Sequence, residues 1–89
     1  VSEATAQEMA LGVLSYAPQA TLAISTTGIA GPGGASVGKP VGLVCFAWAQ
    51  RTDQGVHVVS AQRVFSGDRH QVRVSSVTFA LQHAIELIS

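Results

Sequence analysis

Residues 41–50 constrain the fold of this chain more than any other segment, because they are apolar on both faces of a β-strand. Alternate side chains of a strand point to opposite sides of the sheet. The apolar residues on the two sides are Val41, Leu43, Cys45 and Ala47, and Val44, Phe46 and Trp48. A strand of this kind has to be covered on both sides, so it is predicted to lie inside a sheet that is flanked by helices.

The residues before this strand predict a helix and a first strand. Ser2 can cap the helix, and Pro18 ends it because proline disfavours helical geometry in the residue before it. Apolar residues recur at three- and four-residue spacing and predict one buried stripe: Ala6, Met9, Ala10, Val13 and Leu14. Residues 21–26 are predicted to form a short buried strand.

The residues after it predict a returning strand and a last helix. A polar turn at residues 51–55 predicts that the strand over residues 56–65 returns antiparallel. Asp68 then opens the helix. The predicted inner face of this helix is Val72, Val77, Ala80 or Leu81, Ala84 and Ile88. The resulting fold class is α/β, with a mixed sheet flanked by helices in the order α-β-β-β-α.

The composition indicates that part of the apolar surface of this unit is covered by another polypeptide segment or chain. The chain has 89 residues, of which 47% are hydrophobic and 11% charged, where a typical soluble domain has about 25% charged residues. We expect a missing half or a partner subunit to pack over the excess apolar surface. Five basic and five acidic residues are scattered along the chain, which argues against a nucleic-acid partner or an anionic membrane.

No apolar run approaches the roughly 18–20 residues of a membrane span, and no signal-peptide pattern is found. The single cysteine, Cys45, can form no disulfide within the chain. We therefore expect a cytoplasmic protein.

A glycine-rich segment, residues 26–34, follows the first predicted strand and contains four of the nine glycines. Such a loop can direct several N–H groups at an anion, and it can equally be an ordinary connection. Residues 33–39 also have the spacing of a nucleotide-binding P-loop. That motif requires Ser or Thr after its lysine, but here Pro40 and a strand follow Lys39, so we reject the P-loop.

Three separated motifs resemble the C-terminal domain of the CinA (competence/damage-inducible protein) family. They are Thr27-Gly28-Ile29-Ala30-Gly31-Pro32-Gly33-Gly34, Lys39-Pro40-Val41-Gly42 and Phe65-Ser66-Gly67-Asp68-Arg69. Enzymes of that family are nicotinamide-nucleotide amidases of NAD recycling, which hydrolyse the carboxamide of nicotinamide mononucleotide to the acid and ammonia. The family domain is nearly twice as long as this chain. The resemblance therefore implies that residues 1–89 are the C-terminal half of a three-layer α/β/α domain. We also expect the protein to form a homo-oligomer.

The resemblance also implies a substrate site. It assigns to the substrate the residues Thr27, Gly28, Gly31, Gly33, Gly34 and Arg69. Arg69 is expected to hold the phosphate, although a solvated arginine or a pair with Asp68 is the alternative. We expect Asp68 to cap the helix and Arg73 to lie on its solvent-exposed face. The roles of Lys39 and His70 stay open.

The catalytic residues of the family have no counterpart here. Its nucleophile is a serine in a Glu-Ser segment that ends in Gly-Gly, and a tyrosine and a lysine follow; no such segment occurs in this chain. We therefore expect the chain to be inactive alone and to need the missing N-terminal half or a partner chain. The alternative is a non-catalytic remnant that binds a nucleotide or acts in assembly. Neither a metal nor an organic cofactor is expected, since His57, His70 and His83 lack ligand spacing.

Overall fold

The computed structural model describes residues 2–28 and 42–89. Its elements are α1 (Glu3–Tyr16), β1 (Leu22–Gly28), β2 (Leu43–Thr52), β3 (Gly55–Val64) and α2 (Arg69–Ile88). This order confirms the α/β class and the predicted succession of helix, three strands and helix.

The sheet has the order β1-β2-β3, and both neighbouring pairs are antiparallel. β2 and β3 form a hairpin in which Thr52 pairs with Gly55, and Gly55 has a φ of +114°. This confirms the antiparallel return. A mixed sheet requires at least one parallel pair of strands. These three strands contain none, because both of their pairs are antiparallel.

β2 lies between two hydrophobic cores, as its two apolar faces predicted. The core on the α1 side contains Ala6, Ala10, Leu14, Ala23, Cys45, Ala47 and Ala49. The core on the α2 side contains Val44, Phe46, Trp48, Val72, Ala80 and Ala84. Aromatic rings fill the second core: Phe46 stacks with Trp48 at 5.9 Å between ring centroids and contacts Phe79 at 4.7 Å.

Ser2 caps the start of α1, because its side chain accepts a hydrogen bond from the Thr5 N–H at 3.1 Å. The buried residues of this helix are Ala6, Ala10 and Leu14, which recur every four residues. Met9 and Val13 were predicted to be buried, but they are 43% and 59% exposed. The small alanines form the contact with the sheet, and this leaves the two larger side chains on the flank of the helix.

α2 buries Val72, Ser76, Ala80 and Ala84. The prediction was correct for Val72, Ala80 and Ala84, and wrong for Val77 and Ile88, which are 54% and 63% exposed. The indole N–H of Trp48 donates to the Ala80 carbonyl at 3.0 Å, and this bond fixes which side of the helix faces the sheet. No helix in the described part of the chain is long and apolar enough to cross a membrane.

Candidate functional site

A cleft of about 270 Å³ lies between the end of β1 and the first half of α2. Its walls are formed by Thr26, Gly28, Val44, Arg69, Val72, Arg73, Ser76 and Val77. The cleft therefore brings together two of the predicted site residues, Gly28 and Arg69, which are far apart in sequence. It is smaller than the roughly 300–1,000 Å³ of complete small-molecule pockets, as expected for part of a site.

Gly28 keeps the sheet side of this cleft open. A Cβ atom at this position would lie 3.0 Å from Val44 Cγ2 and 3.1 Å from the Leu43 carbonyl oxygen. Both distances are shorter than ordinary van der Waals contacts between heavy atoms. A side chain at residue 28 would therefore press on β2 and occupy part of the cleft.

The start of α2 is closed by a capping box. Asp68 accepts a hydrogen bond from the Gln71 N–H, and the Gln71 side chain accepts one from the Asp68 N–H. Gly67 permits this arrangement: its φ is +111°, and a Cβ atom there would collide with the Gln71 side chain. The structure confirms Asp68 as a helix cap. The Asp68 carboxylate already occupies the end of the helix where an anion would otherwise bind.

Arg69 and Arg73 lie one helical turn apart on the wall of the cleft. Both residues are exposed, and neither guanidinium group makes a hydrogen bond or an ion pair with any residue of the described ranges. Arg73 is exposed, as predicted, but it also lines the cleft. Arginine is well suited to a phosphate because its planar fork donates two parallel hydrogen bonds. Two such groups with no acidic partner give this wall a positive charge.

Thr27 lies on the other face of β1. It pairs with Cys45, and Ser25 pairs with Ala47, so both belong to the α1 side of the sheet. Its neighbour Thr26 pairs with Phe46 on the α2 side and lines the cleft with Arg69. The structure therefore does not bring the side chains of Thr27 and Arg69 to the same face. Gly31, Gly33, Gly34 and Lys39 lie outside the described residues.

The cleft also contains residues that were not among the predicted site residues: Thr26, Ser76 and Val77. The signal for Ser76 and Val77 was available, because they follow Arg69 and Arg73 at helical spacing on one side of α2. Thr26 could be found only by knowing which face of β1 points at α2, and that depends on the register with β2.

Several polar residues away from the cleft have structural partners. His83 stacks on Trp48 with 4.8 Å between ring centroids. Ser25 is buried and donates to the Ala6 carbonyl. Ser60 donates to Glu3 at 2.7 Å and accepts from Gln7 at 2.8 Å, which joins β3 to α1 on the face of the sheet opposite the cleft. His70 lies in the first turn of α2, at the side of Arg73.

This geometry defines an α/β unit with a positively charged cleft at a strand end. A model of the CinA C-terminal domain matches residues 1–88, so the chain belongs to the CinA C-terminal domain family. It is 48% identical over 85 residues to a nicotinamide-nucleotide amidohydrolase PncC of Enterobacter agglomerans, covering 96% of this chain and 49% of the relative. It is 49% identical over 84 residues to a CinA-like protein of Chlorobium phaeovibrioides, covering 92% of this chain and 19% of that protein.

The same fold is found in a solved structure of a CinA superfamily protein from Enterobacter cloacae. The TM-score is 0.88 at 35% sequence identity, and the match covers 100% of this chain and 50% of that one. The chain therefore spans about half the length, or less, of these relatives.

Proposed function

We propose that this chain is one half of a nicotinamide-nucleotide amidase domain, which hydrolyses the carboxamide of nicotinamide mononucleotide to nicotinate mononucleotide and ammonia. The observation that carries the proposal is the cleft in which Gly28, Arg69 and Arg73 meet. The PncC name of the Enterobacter agglomerans relative supports the reaction. The catalytic serine would come from the half of the domain that this chain lacks.

Arg69 and Arg73 would hold the phosphate of the nucleotide. A phosphate monoester carries nearly two negative charges at neutral pH, which two guanidinium groups can neutralise. The start of α2 is already occupied by the Asp68 carboxylate, through the capping box with Gln71. The arginine side chains, and not the helix dipole, would therefore supply most of the attraction.

Thr27 and the glycines that follow it would contact the other end of the substrate. Thr27 and Arg69 lie on opposite faces of the sheet, so an extended nucleotide would have to cross the end of β1 to reach both. Gly28, at the crossing point, has no side chain to block it. Glycine N–H groups in the loop and the Thr27 hydroxyl would then lie beside the carboxamide. Gly31, Gly33 and Gly34 are assigned here from the family resemblance.

The reaction would proceed through a covalent intermediate. The serine oxygen attacks the carboxamide carbon, and nearby N–H groups stabilise the negative charge that develops on its oxygen. The serine proton passes to the amide nitrogen, which leaves as ammonia. Water then hydrolyses the resulting ester to give the carboxylate and the free serine. Water is the only co-substrate these steps require. A cytoplasmic location and assembly into an oligomer remain predictions.

The proposal is tested by measuring ammonia release from nicotinamide mononucleotide. We expect activity from a protein extended to the length of its relatives and none from residues 1–89 alone. A full-length protein that is folded but releases no ammonia would contradict the proposal and favour the non-catalytic alternative. Activity of residues 1–89 alone would show that the nucleophile lies within this chain.

A further inference from the structure

All three layers of the fold end in uncharged or apolar surface on the same side, the side of β1. We infer that this side, which we call the β1 flank, is the surface that receives the other half of the amidase domain. The inference rests on the function proposed above, and it adds the surface and the partner. The observations come from the sheet, from α2 and from α1 separately.

In the sheet, β1 and β3 are the two outer strands, and they differ in charge. β1 has no charged residue between Leu22 and Gly28, whereas β3 contains Arg63. Outer strands that remain in solvent usually carry charges that prevent further pairing. Ile24 of β1 is 36% exposed. β1 therefore has the character of a strand that is paired in the complete protein.

In α2, a stripe of exposed apolar side chains continues from the cleft along the helix. The stripe consists of Val77, Leu81 and Ile85, which are 54%, 52% and 61% exposed. It lies on the β1 side, since Val77 lines the cleft with Thr26 of β1. The opposite side of α2 is covered, because Phe79 lies beneath the Arg63 guanidinium of β3 at 5.1 Å.

α1 has the same asymmetry. On its β3 side, Glu3 and Gln7 both hydrogen-bond to Ser60 of β3, and Leu11 is 38% exposed. Ala6 faces β1, where its carbonyl accepts from Ser25. At about 3.6 residues per turn, Met9, Val13 and Tyr16 lie beyond Ala6 on the side away from Gln7. They are 43%, 59% and 93% exposed.

The occupant that fits is the other half of the domain. The PncC relative and the Enterobacter cloacae structure are each about twice as long as this chain, which covers 49% of the first and 50% of the second. To cover the β1 flank, a partner has to supply a strand next to β1 and helices on both faces of the sheet. Another α/β half provides these elements. The cleft opens next to this flank, so the same half could bring the serine to it. A second copy of this chain would bring no nucleophile.

The experiment measures assembly and needs no catalysis. Residues 1–89 are mixed with a polypeptide holding the half of the Enterobacter agglomerans relative that they do not match, and the mass of the complex is measured by light scattering and native mass spectrometry. We expect a complex of one chain of each kind. Val13→Glu and Leu81→Glu should each weaken it at least about tenfold, because a charge would enter an apolar contact.

Val64→Glu is the matched control, because Val64 is 59% exposed, as is Val13, and belongs to β3, the outer strand at the opposite edge of the sheet from β1. Circular dichroism checks the fold of each variant, and Leu81→Ala replaces any glutamate variant that unfolds. No complex, a complex weakened only by Val64→Glu, or a homodimer that Leu81→Glu dissociates would each overturn the inference. A complex with the expected sensitivity but no ammonia release would contradict the proposed function alone.

Discussion

Asp68 and Gln71 satisfy each other's backbone N–H groups at the start of α2. Asp68 Oδ1 accepts from the Gln71 N–H at 2.8 Å, and Gln71 Oε1 accepts from the Asp68 N–H at 2.7 Å. Both side chains therefore cap the start of the helix, and Asp68 makes no ion pair with Arg69. This arrangement leaves the Arg69 guanidinium available to a ligand.

We predict that Arg69→Ala raises the KM for nicotinamide mononucleotide in the complete enzyme by about 10–100-fold. A hydrogen bond to a charged group contributes about 1.5–3 kcal/mol, and every 1.4 kcal/mol is about tenfold in affinity. kcat should change by less than about threefold, because the phosphate is remote from the carboxamide and is bound equally in the ground state and the transition state. Steady-state kinetics of ammonia release measures both constants.

Arg63→Ala is the control for this variant. Arg63 is also an arginine on the α2 side of the sheet, but it covers Phe79 and does not line the cleft. Its removal should leave KM within about twofold of the original value, since it makes no contact with the proposed phosphate. An unchanged KM in Arg69→Ala would remove the phosphate assignment.

Thr26 and Thr27 lie on opposite faces of β1, so substitutions at these two residues test where the proposed substrate binds. We predict that Thr27→Val lowers kcat/KM by about 2–12-fold, the equivalent of one neutral hydrogen bond of about 0.5–1.5 kcal/mol. Thr26→Val makes the same replacement of a hydroxyl by a methyl group on the opposite face of β1, and it should lower kcat/KM by less. If Thr26→Val is the more damaging variant, the substrate lies entirely in the cleft beside α2 and does not cross the end of β1.

The fold could be predicted largely from β2, because a strand with two apolar faces permits few surroundings. The inner face of α2 was harder to predict. Its apolar residues extend around most of the helix, and an apolar pattern alone does not distinguish Ala80 from Leu81. The Trp48 indole, which bonds the Ala80 carbonyl, decides the rotation, and that contact joins residues 32 positions apart.

The candidate site was predictable in part, and only with the family resemblance. Arg69 and Gly28 were named from motifs, and both line the cleft. The position of Thr27 on the other face could not be predicted, because one residue of register in β1 exchanges the two faces. The nucleophile is a different case, since no residue pattern in this chain provides one.

Gly42 is predicted to be required for stability. Its φ is +89°, and a Cβ atom there would collide with the Phe65 carbonyl oxygen. Gly42→Ala should therefore lower the free energy of unfolding by roughly 2–4 kcal/mol through backbone strain and overlap. The matched control is Gly12→Ala in α1, where a Cβ atom would have nothing within 4 Å. This second variant should stabilise the protein by about 0.5–1 kcal/mol. Urea denaturation of both variants tests the opposite signs.

Arg51 is predicted to stabilise the end of α1 from a distant strand. Its Nη2 donates to the Leu14 carbonyl at 2.8 Å and its Nε to the Ala20 carbonyl at 3.2 Å. The last turn of α1 contains no basic residue of its own, so this guanidinium supplies the positive charge that a helix C-terminus favours. Arg51→Ala should lower the free energy of unfolding by about 1–2 kcal/mol, discounted for the exposure of the arginine.

Arg51→Lys distinguishes charge from geometry. Lysine keeps the charge but cannot donate in two fixed directions. The decrease in the free energy of unfolding for Arg51→Lys should therefore lie between zero and the decrease for Arg51→Ala. Arg73→Ala serves as the control, because this exposed arginine has no hydrogen bond within the described part of the chain and its removal should change stability by less than about 0.5 kcal/mol. Equal losses in Arg51→Ala and Arg73→Ala would show that the contacts to α1 contribute nothing beyond a surface charge.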